Sequence, residues 1–112
     1  VMEANAYAKE HGLQGFVCNQ LMWSLADVNF SGLADQSFVL MDQETYSYQG
    51  RAGLNAMAYM SVAKGYFTRR AAGEALPKSV TDVYDGEAND QIFSLLKKAC
   101  GDGECSMMDC GI

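Results

Sequence analysis

The residues best suited to chemistry in this sequence are polar and aromatic side chains at the ends of two short, mostly apolar runs. Asn19 and Gln20 close the first run, residues 15–20, and Tyr59 closes the second, residues 54–59. A carboxamide donates and accepts hydrogen bonds at once, and a tyrosine ring offers a flat face for stacking. The same residues are also compatible with a plain polar strand end and a core tyrosine.

A loop of small residues, 61–65, follows the second run and has the composition of a phosphate-binding loop. Small residues let backbone N–H groups approach a phosphate, and Lys64 adds a positive charge. An ordinary loop with a solvated lysine has the same composition. Trp23 follows the first run by three residues, so it can form a substrate-pocket wall or cover the sheet rim. Arg69 and Arg70 are expected at a solvated helix end.

Two parallel strands joined by a helix would bring these residues to one edge of a sheet. Both apolar runs resemble strands buried on two faces, and a long loop separates the first run from a helical pattern at about residues 41–50. Gly53 gives that helix a stop. The order strand, loop, helix, strand predicts a βαβ unit with parallel strands at 15–20 and 54–59.

Four further helical patterns flank this unit. Residues 2–11 read as the second half of a helix that Gly12 closes. A helix is expected near residues 78–84, and residues 88–99 carry an apolar stripe typical of an amphipathic helix. Ser106 and Asp109 form the capping-box pattern that opens a helix. Both ends of the sequence therefore look cut through helices.

Composition indicates a protein that buries a core and does not bind nucleic acid. Apolar residues make up 49% of the 112 residues and charged residues 20%. The net charge is −6 and the basic residues are scattered, which argues against a nucleic-acid partner. We find neither a membrane span nor a signal peptide, so we expect no membrane partner and a cytoplasmic location.

Four cysteines, Cys18, Cys100, Cys105 and Cys110, could form two disulfides. Without a signal peptide, reduced thiols are the expected state. Their spacing matches no zinc pattern, and we expect no metal site.

Three segments in order resemble the aldo-keto reductases, in particular the bacterial group known as predicted oxidoreductases. They are ANAYAKEHGL at residues 4–13, NQLMWSL at 19–25 and MAYMSVAKGYF at 57–67. The resemblance covers about two-thirds of the chain and weakens beyond Pro77. It implies an α/β fold, part of a TIM (β/α)8 barrel. Because a complete barrel needs about 250 residues, residues 1–112 would be a fragment of one barrel domain, with strands six and seven and the helices that follow them.

The resemblance also implies roles for individual residues. Gln20 would bind the nicotinamide carboxamide of NADP or NAD, and Tyr59 would stack on the nicotinamide ring. Ser61, Val62, Lys64 and Gly65 would lie along the pyrophosphate, with Trp23 as the substrate-pocket candidate. A serine is usual directly after the tyrosine, and Met60 stands there instead, so one phosphate contact would be missing.

The family's catalytic Asp, Tyr, Lys and His belong to earlier strands, so we expect no catalytic residue in this chain and no activity from it alone. The parent protein is expected to be an NAD(P)H-dependent enzyme that reduces aldehydes or ketones to alcohols. Its partner would be a small-molecule carbonyl substrate. Two alternatives stay open: a non-catalytic nucleotide-binding or partner-binding module of the same fold, and a free-standing small α/β domain.

Overall fold

Two parallel strands, joined through one helix, form the sheet. The computed structural model describes residues 1–101 and 106–109, and its strands are β1 (Cys18–Met22) and β2 (Asn55–Tyr59). Cys18 lies opposite Asn55 and Met22 opposite Tyr59. The predicted parallel pairing is present. The bounds differ, because β1 runs from residue 18 to 22 instead of 15 to 20.

Backbone hydrogen bonds on both sides of Met22 fix the end of β1. The Met22 N–H donates to the Val39 carbonyl at 2.9 Å, and the Met41 N–H donates to the Met22 carbonyl at 3.1 Å. The Trp23 N–H points to the opposite side of the strand, toward β2, and donates to the Tyr59 carbonyl at 3.2 Å. A short parallel bridge at Leu40 thus extends the sheet on the side of β1 away from β2.

The prediction of a partial TIM barrel is wrong. The described residues form two strands of five residues each, and these make a small sheet in an α/β unit. Met57 at the middle of β2 is 55% exposed, whereas barrel strands are covered on both faces. The radius of gyration is 17.0 Å, against about 13 Å for a compact chain of this length. Two strands cannot curve far enough to enclose an interior, so this sheet stays open.

The described part of the chain has five α-helices. Their bounds are α1 (Met2–Glu10), α2 (Gln43–Ala52), α3 (Tyr66–Ala71), α4 (Lys78–Tyr84) and α5 (Glu87–Cys100). The α4 prediction agrees at both ends, and α5 is one residue longer at each end than its apolar stripe indicated. The Asp42 side chain caps α2 by accepting from the Thr45 N–H at 2.7 Å, and Gly53 ends it with a left-handed φ of 63°.

The hydrophobic core lies beyond the carboxyl end of the sheet, between the loop after β1 and helices α3 to α5. Tyr66 and Tyr84 are 0% and 1% exposed, with their ring centroids 5.6 Å apart. Burial raises the pKa of both phenols. The other buried members of this core are Met22, Ala26, Leu33, Ala63, Phe67, Val80, Val83 and Leu96. Most of the buried apolar surface therefore sits among helices and loops.

A close backbone approach docks the loop after β1 onto α4. A Cβ added to Gly32 would lie 2.0 Å from the carbonyl oxygen of Asp82. The Asn29 side chain donates to the same carbonyl at 3.0 Å, and the Asn29 N–H donates to the Val83 carbonyl at 2.8 Å. Only glycine fits at position 32 without separating the loop from the helix.

Asn89 holds the same loop against the start of α5. Its side chain is 2% exposed, accepts from the Asp27 N–H at 2.8 Å and donates to the Asp27 carbonyl at 2.8 Å. It also donates to the Tyr84 carbonyl at 2.6 Å. One buried carboxamide thus satisfies three backbone groups from two segments.

Arg70 is not the solvated helix end that the sequence indicated. Its guanidinium pairs with Asp90 at 2.6 Å, donates to the Tyr66 hydroxyl at 3.1 Å and lies 4.5 Å from the centre of the Phe93 ring. The Tyr66 hydroxyl in turn donates to Asp85 at 2.9 Å. This network connects α3 to both α4 and α5.

Near the ends of the chain, two further predictions can be compared with the structure. Gly12 has a left-handed φ of 64° after α1, as expected of a helix stop. Ser106 and Asp109 make the reciprocal hydrogen bonds of a capping box, with the Ser106 N–H donating at 2.9 Å and the Asp109 N–H at 3.2 Å. The helix they would open lies outside the described residues.

We expect Gly32→Ala to destabilise the protein by about 3 kcal/mol, the upper end of the range for overpacking, because its methyl group would collide with the α4 backbone. Urea unfolding followed by circular dichroism measures the loss. The matched control is Gly50→Ala, an open position inside α2, which should gain about 0.5–1 kcal/mol. Equal stability of the two variants would contradict the close approach.

We expect Asn89→Ala to cost roughly 2–4 kcal/mol, because the Asp27 and Tyr84 backbone groups would lose their partner. Asn89→Asp keeps the acceptor but places a buried carboxylate oxygen against the Asp27 and Tyr84 carbonyls, so it should destabilise the protein at least as much as Asn89→Ala. Thermal and urea unfolding provide the measurement. A loss below about 0.5 kcal/mol for Asn89→Ala, the size of an ordinary surface substitution, would show that water replaces the carboxamide.

Candidate functional site

The loops that follow β1 and β2 meet at one pocket beyond the carboxyl end of the sheet. This meeting follows from the parallel register, which places Met22 beside Tyr59. In parallel α/β structures, ligands bind at this edge. The lining residues are Ser24, Leu25 and Ala26 after β1, Ser61, Val62 and Ala63 after β2, Phe67 and Thr68 of α3, and Met107 and Met108.

The loop after β2 has an unusual backbone. Met60, Ala63 and Lys64 have φ values of 54°, 48° and 55°, a left-handed conformation that is unfavourable for residues with a Cβ. Gly65 follows at 73°. Hydrogen bonds from the Ala63 N–H to the Met60 carbonyl and from the Gly65 N–H to the Val62 carbonyl, both 2.8 Å, hold the shape. Three consecutive left-handed residues, 63–65, therefore turn the chain from β2 into α3.

Gln20 lies in the middle of β1, not at its end. It faces Met57 across the sheet, while Tyr59 lies two residues further along β2. Because side chains alternate between faces, both point to the same face, with Cα atoms about 8 Å apart from the usual strand spacing and rise. Gln20 is exposed, and its carboxamide makes no hydrogen bond with any described residue. Tyr59 is half-buried against Phe38, with ring centroids 5.9 Å apart.

The predicted phosphate-side residues lie together in the loop after β2. Ser61 and Val62 line the pocket, and the Lys64 side chain is exposed. Within residues 1–101 and 106–109, neither the Ser61 hydroxyl nor the Lys64 ammonium has a hydrogen-bond or ion-pair partner. Gly65 allows the left-handed turn into α3. A hydroxyl and an ammonium are therefore available to an anion here.

Trp23 lies apart from this pocket. It is 41% exposed and lines a separate groove with Met41, Asp42, Gln43 and Tyr46. The structure thus groups the predicted residues in three places: Gln20 and Tyr59 on a sheet face, the 61–65 loop at the pocket, and Trp23 at the groove. Nothing in the described structure encloses all three.

Sequence reasoning missed Ser24, Thr68 and Tyr46. Ser24 could have been predicted, because it directly follows the pocket candidate Trp23. Thr68 and Tyr46 lie on helices α3 and α2, and only the packing of these helices brings them to the pocket and the groove. His11 stacks on Tyr7 at 3.9 Å on α1 and contributes to neither.

The described residues contain no group of three or more His, Cys, Asp or Glu side chains placed to hold a metal ion. Cys18 is exposed and forms no disulfide with them. Cys105 and Cys110 lie outside the described residues. Among the helices of the described part, none is long and apolar enough to span a membrane.

The chain was compared with protein families, curated proteins and solved structures. No family model matches it, and neither the curated proteins nor the solved structures gave a match.

We expect Lys64→Gly to stabilise the protein by about 1 kcal/mol, because glycine removes the cost of a left-handed residue with a Cβ. Lys64→Ala is the matched control: it removes the same ammonium group but keeps a Cβ, so it should give no such gain. Urea unfolding of both variants separates backbone strain from side-chain effects. A gain of the same size in both would show that the lysine side chain is the unfavourable part.

Proposed function

We propose that this chain holds the nicotinamide and pyrophosphate parts of NADP or NAD and belongs to an NAD(P)H-dependent reductase of aldehydes or ketones. The observation that carries the proposal is the loop at residues 60–65. It has left-handed backbone turns, it follows a parallel strand directly, and its serine and lysine side chains have no partner among residues 1–101 and 106–109. The segment MAYMSVAKGYF at residues 57–67 resembles the aldo-keto reductases, and this resemblance supplies the identity of the cofactor.

The residues present fit a dinucleotide phosphate in chemical character. A pyrophosphate needs hydrogen-bond donors together with positive charge, and the 60–65 loop offers the Ser61 hydroxyl and the Lys64 ammonium. Met60 supplies no hydroxyl, so Ser61 is the hydroxyl donor of this loop. The chain carries a net charge of −6, so phosphate binding relies on these local donors and not on long-range attraction.

The sheet face fits the nicotinamide end. The Gln20 carboxamide has no hydrogen-bond partner in the described part of the chain, and it can pair with a second carboxamide through one donated and one accepted hydrogen bond. Tyr59 lies about 8 Å away on the same face by strand geometry, close enough for one ligand to reach both. The Tyr59 ring packs against Phe38, with centroids 5.9 Å apart, and remains partly exposed.

When bound, the reduced cofactor supplies a hydride to a carbonyl carbon. The residues of this chain would bind and orient the cofactor, and the carbonyl oxygen would take its proton from an acid elsewhere. His11 lies at the end of α1 and belongs to neither the pocket nor the sheet face. Without a positioned acid, cofactor binding by itself gives no turnover. The exposed thiol of Cys18 suits a reducing compartment, and the proposal includes a cytoplasmic location.

The second candidate is a nucleotide-binding or partner-binding module without catalysis. The exposed sheet face favours it, because Met57 and Gln20 are open to a partner or ligand. Both functions predict cofactor binding without turnover by this chain alone. Activity separates them in the parent protein: steady oxidation of NADPH with an aldehyde supports the reductase, and binding without turnover supports the module.

NADPH fluorescence titration tests the proposed function. We expect saturable binding, which Gln20→Ala and Tyr59→Ala each weaken by about 1–3 kcal/mol through loss of a hydrogen bond or an aromatic contact. Lys64→Ala should weaken binding as well, and its effect should shrink in high salt because the interaction is ionic.

Gln91→Ala is the control, since Gln91 is exposed on α5 and away from the pocket and the sheet face. It should bind NADPH like the unchanged protein. Absence of binding, or equal effects of Gln91→Ala and Gln20→Ala, would refute the proposed function.

A further inference from the structure

Two large aromatic side chains touch each other at the protein surface. Trp23 is 41% exposed and Tyr46 is 57% exposed. Their ring centroids are 6.1 Å apart and their planes meet at 67°, so the rings form two walls of a corner. Aromatic rings gain most of their stabilisation by burial, and such a pair left open to solvent has ring surface free for a ligand.

Backbone hydrogen bonds hold both walls at the same point of the sheet. Trp23 directly follows β1, and its N–H donates to the Tyr59 carbonyl at 3.2 Å. Tyr46 lies in the first turn of α2, and Met41, just before that helix, donates to the Met22 carbonyl at 3.1 Å. The corner is therefore preorganised by strand β1 and the start of α2.

A carboxylate lies beside the rings. Asp42 lines the same groove as Trp23 and Tyr46, together with Met41 and Gln43. The hydrogen bond from the Thr45 N–H, 2.7 Å long, lowers the pKa of Asp42 and keeps the side chain ionised at neutral pH. A negative charge thus borders two aromatic rings.

No cation of the described chain occupies this corner. The ion pairs in the described residues involve Arg69, Arg70 and Lys78. The cation–π contacts involve Arg70 and Lys97, which lie over Tyr66 and Phe93. Neither Trp23 nor Tyr46 has such a contact within residues 1–101 and 106–109.

We propose that the groove formed by Trp23, Tyr46 and Asp42 binds a small alkylated ammonium ion. Such an ion carries its charge under a methyl or alkyl surface and needs few or no hydrogen-bond acceptors. Aromatic faces attract it through the ring quadrupole, and a nearby carboxylate adds to that attraction. A bare metal cation is a poor match, because it prefers several oxygen ligands and the groove has one carboxylate.

The fluorescence of Trp23 reports directly on occupancy, because it is the only tryptophan of the chain. The probe is tetramethylammonium chloride, titrated at constant ionic strength against sodium chloride, with tert-butanol as an uncharged molecule of similar size. We expect a saturable change in fluorescence with tetramethylammonium and none with tert-butanol. Equal responses to both, or a response that never saturates, would overturn the proposal.

Variants of Tyr46 and Asp42 test what the ring and the charge contribute to binding. Tyr46→Leu removes the ring, and Asp42→Asn removes the charge while keeping an effective helix cap. Each should raise the dissociation constant by about threefold or more, and Tyr46→Phe, which keeps the ring face, should stay within about twofold. Circular dichroism checks folding, and Asp42→Asn decides the outcome where Tyr46→Leu fails to fold. Unchanged affinity in the folded variants would overturn the site. This result is independent of NADPH binding, since the groove and the 60–65 loop share no residue.

Discussion

The buried carboxamide of Asn89 is the contact on which the arrangement of this protein depends most. It binds both backbone groups of Asp27 and the carbonyl of Tyr84, so the loop after β1, the end of α4 and the start of α5 meet at one side chain. Buried backbone groups require such partners, and a methyl group in its place would supply none. The close approach at Gly32 reinforces the same junction from the α4 side.

That junction lies at the carboxyl end of the sheet, and most of β2 is exposed. The core fills the space between the loop after β1 and helices α3 to α5, and it reaches the sheet at its carboxyl end, through Met22 and Tyr59. Met57 and the neighbouring alanines of β2 gain little from it. The pocket and the aromatic groove both lie at the supported end, where backbone positions are fixed by hydrogen bonds and packing.

Local patterns in the sequence predicted the helices better than the sheet. The bounds of α4 and the stop at Gly53 follow from apolar spacing and glycine chemistry, which act over a few residues. The limits of β1 depend on hydrogen-bond partners. The Phe16 N–H donates to the Asn5 side chain at 2.7 Å instead of to a strand, whereas Met22 is hydrogen-bonded to Val39 and Met41. The barrel prediction failed for the same reason. A barrel depends on pairing between strands that are distant in sequence, and local patterns do not specify that pairing.

The candidate site was predictable in composition but not in geometry. Small residues and a lysine marked the 61–65 loop, yet the left-handed backbone of Ala63 and Lys64 has no sequence signal, since neither is glycine. Arg70 looked solvated because its partners Asp90 and Phe93 lie 20 or more residues further along the chain. The contacts that hold the loop after β1 have the longest reach: Asn89 and Asp27 are separated by 62 positions. Contacts between distant residues form only after the entropy of closing the chain between them has been overcome. The loop after β1 is therefore expected to dock late in folding, after the local helices α4 and α5 have formed.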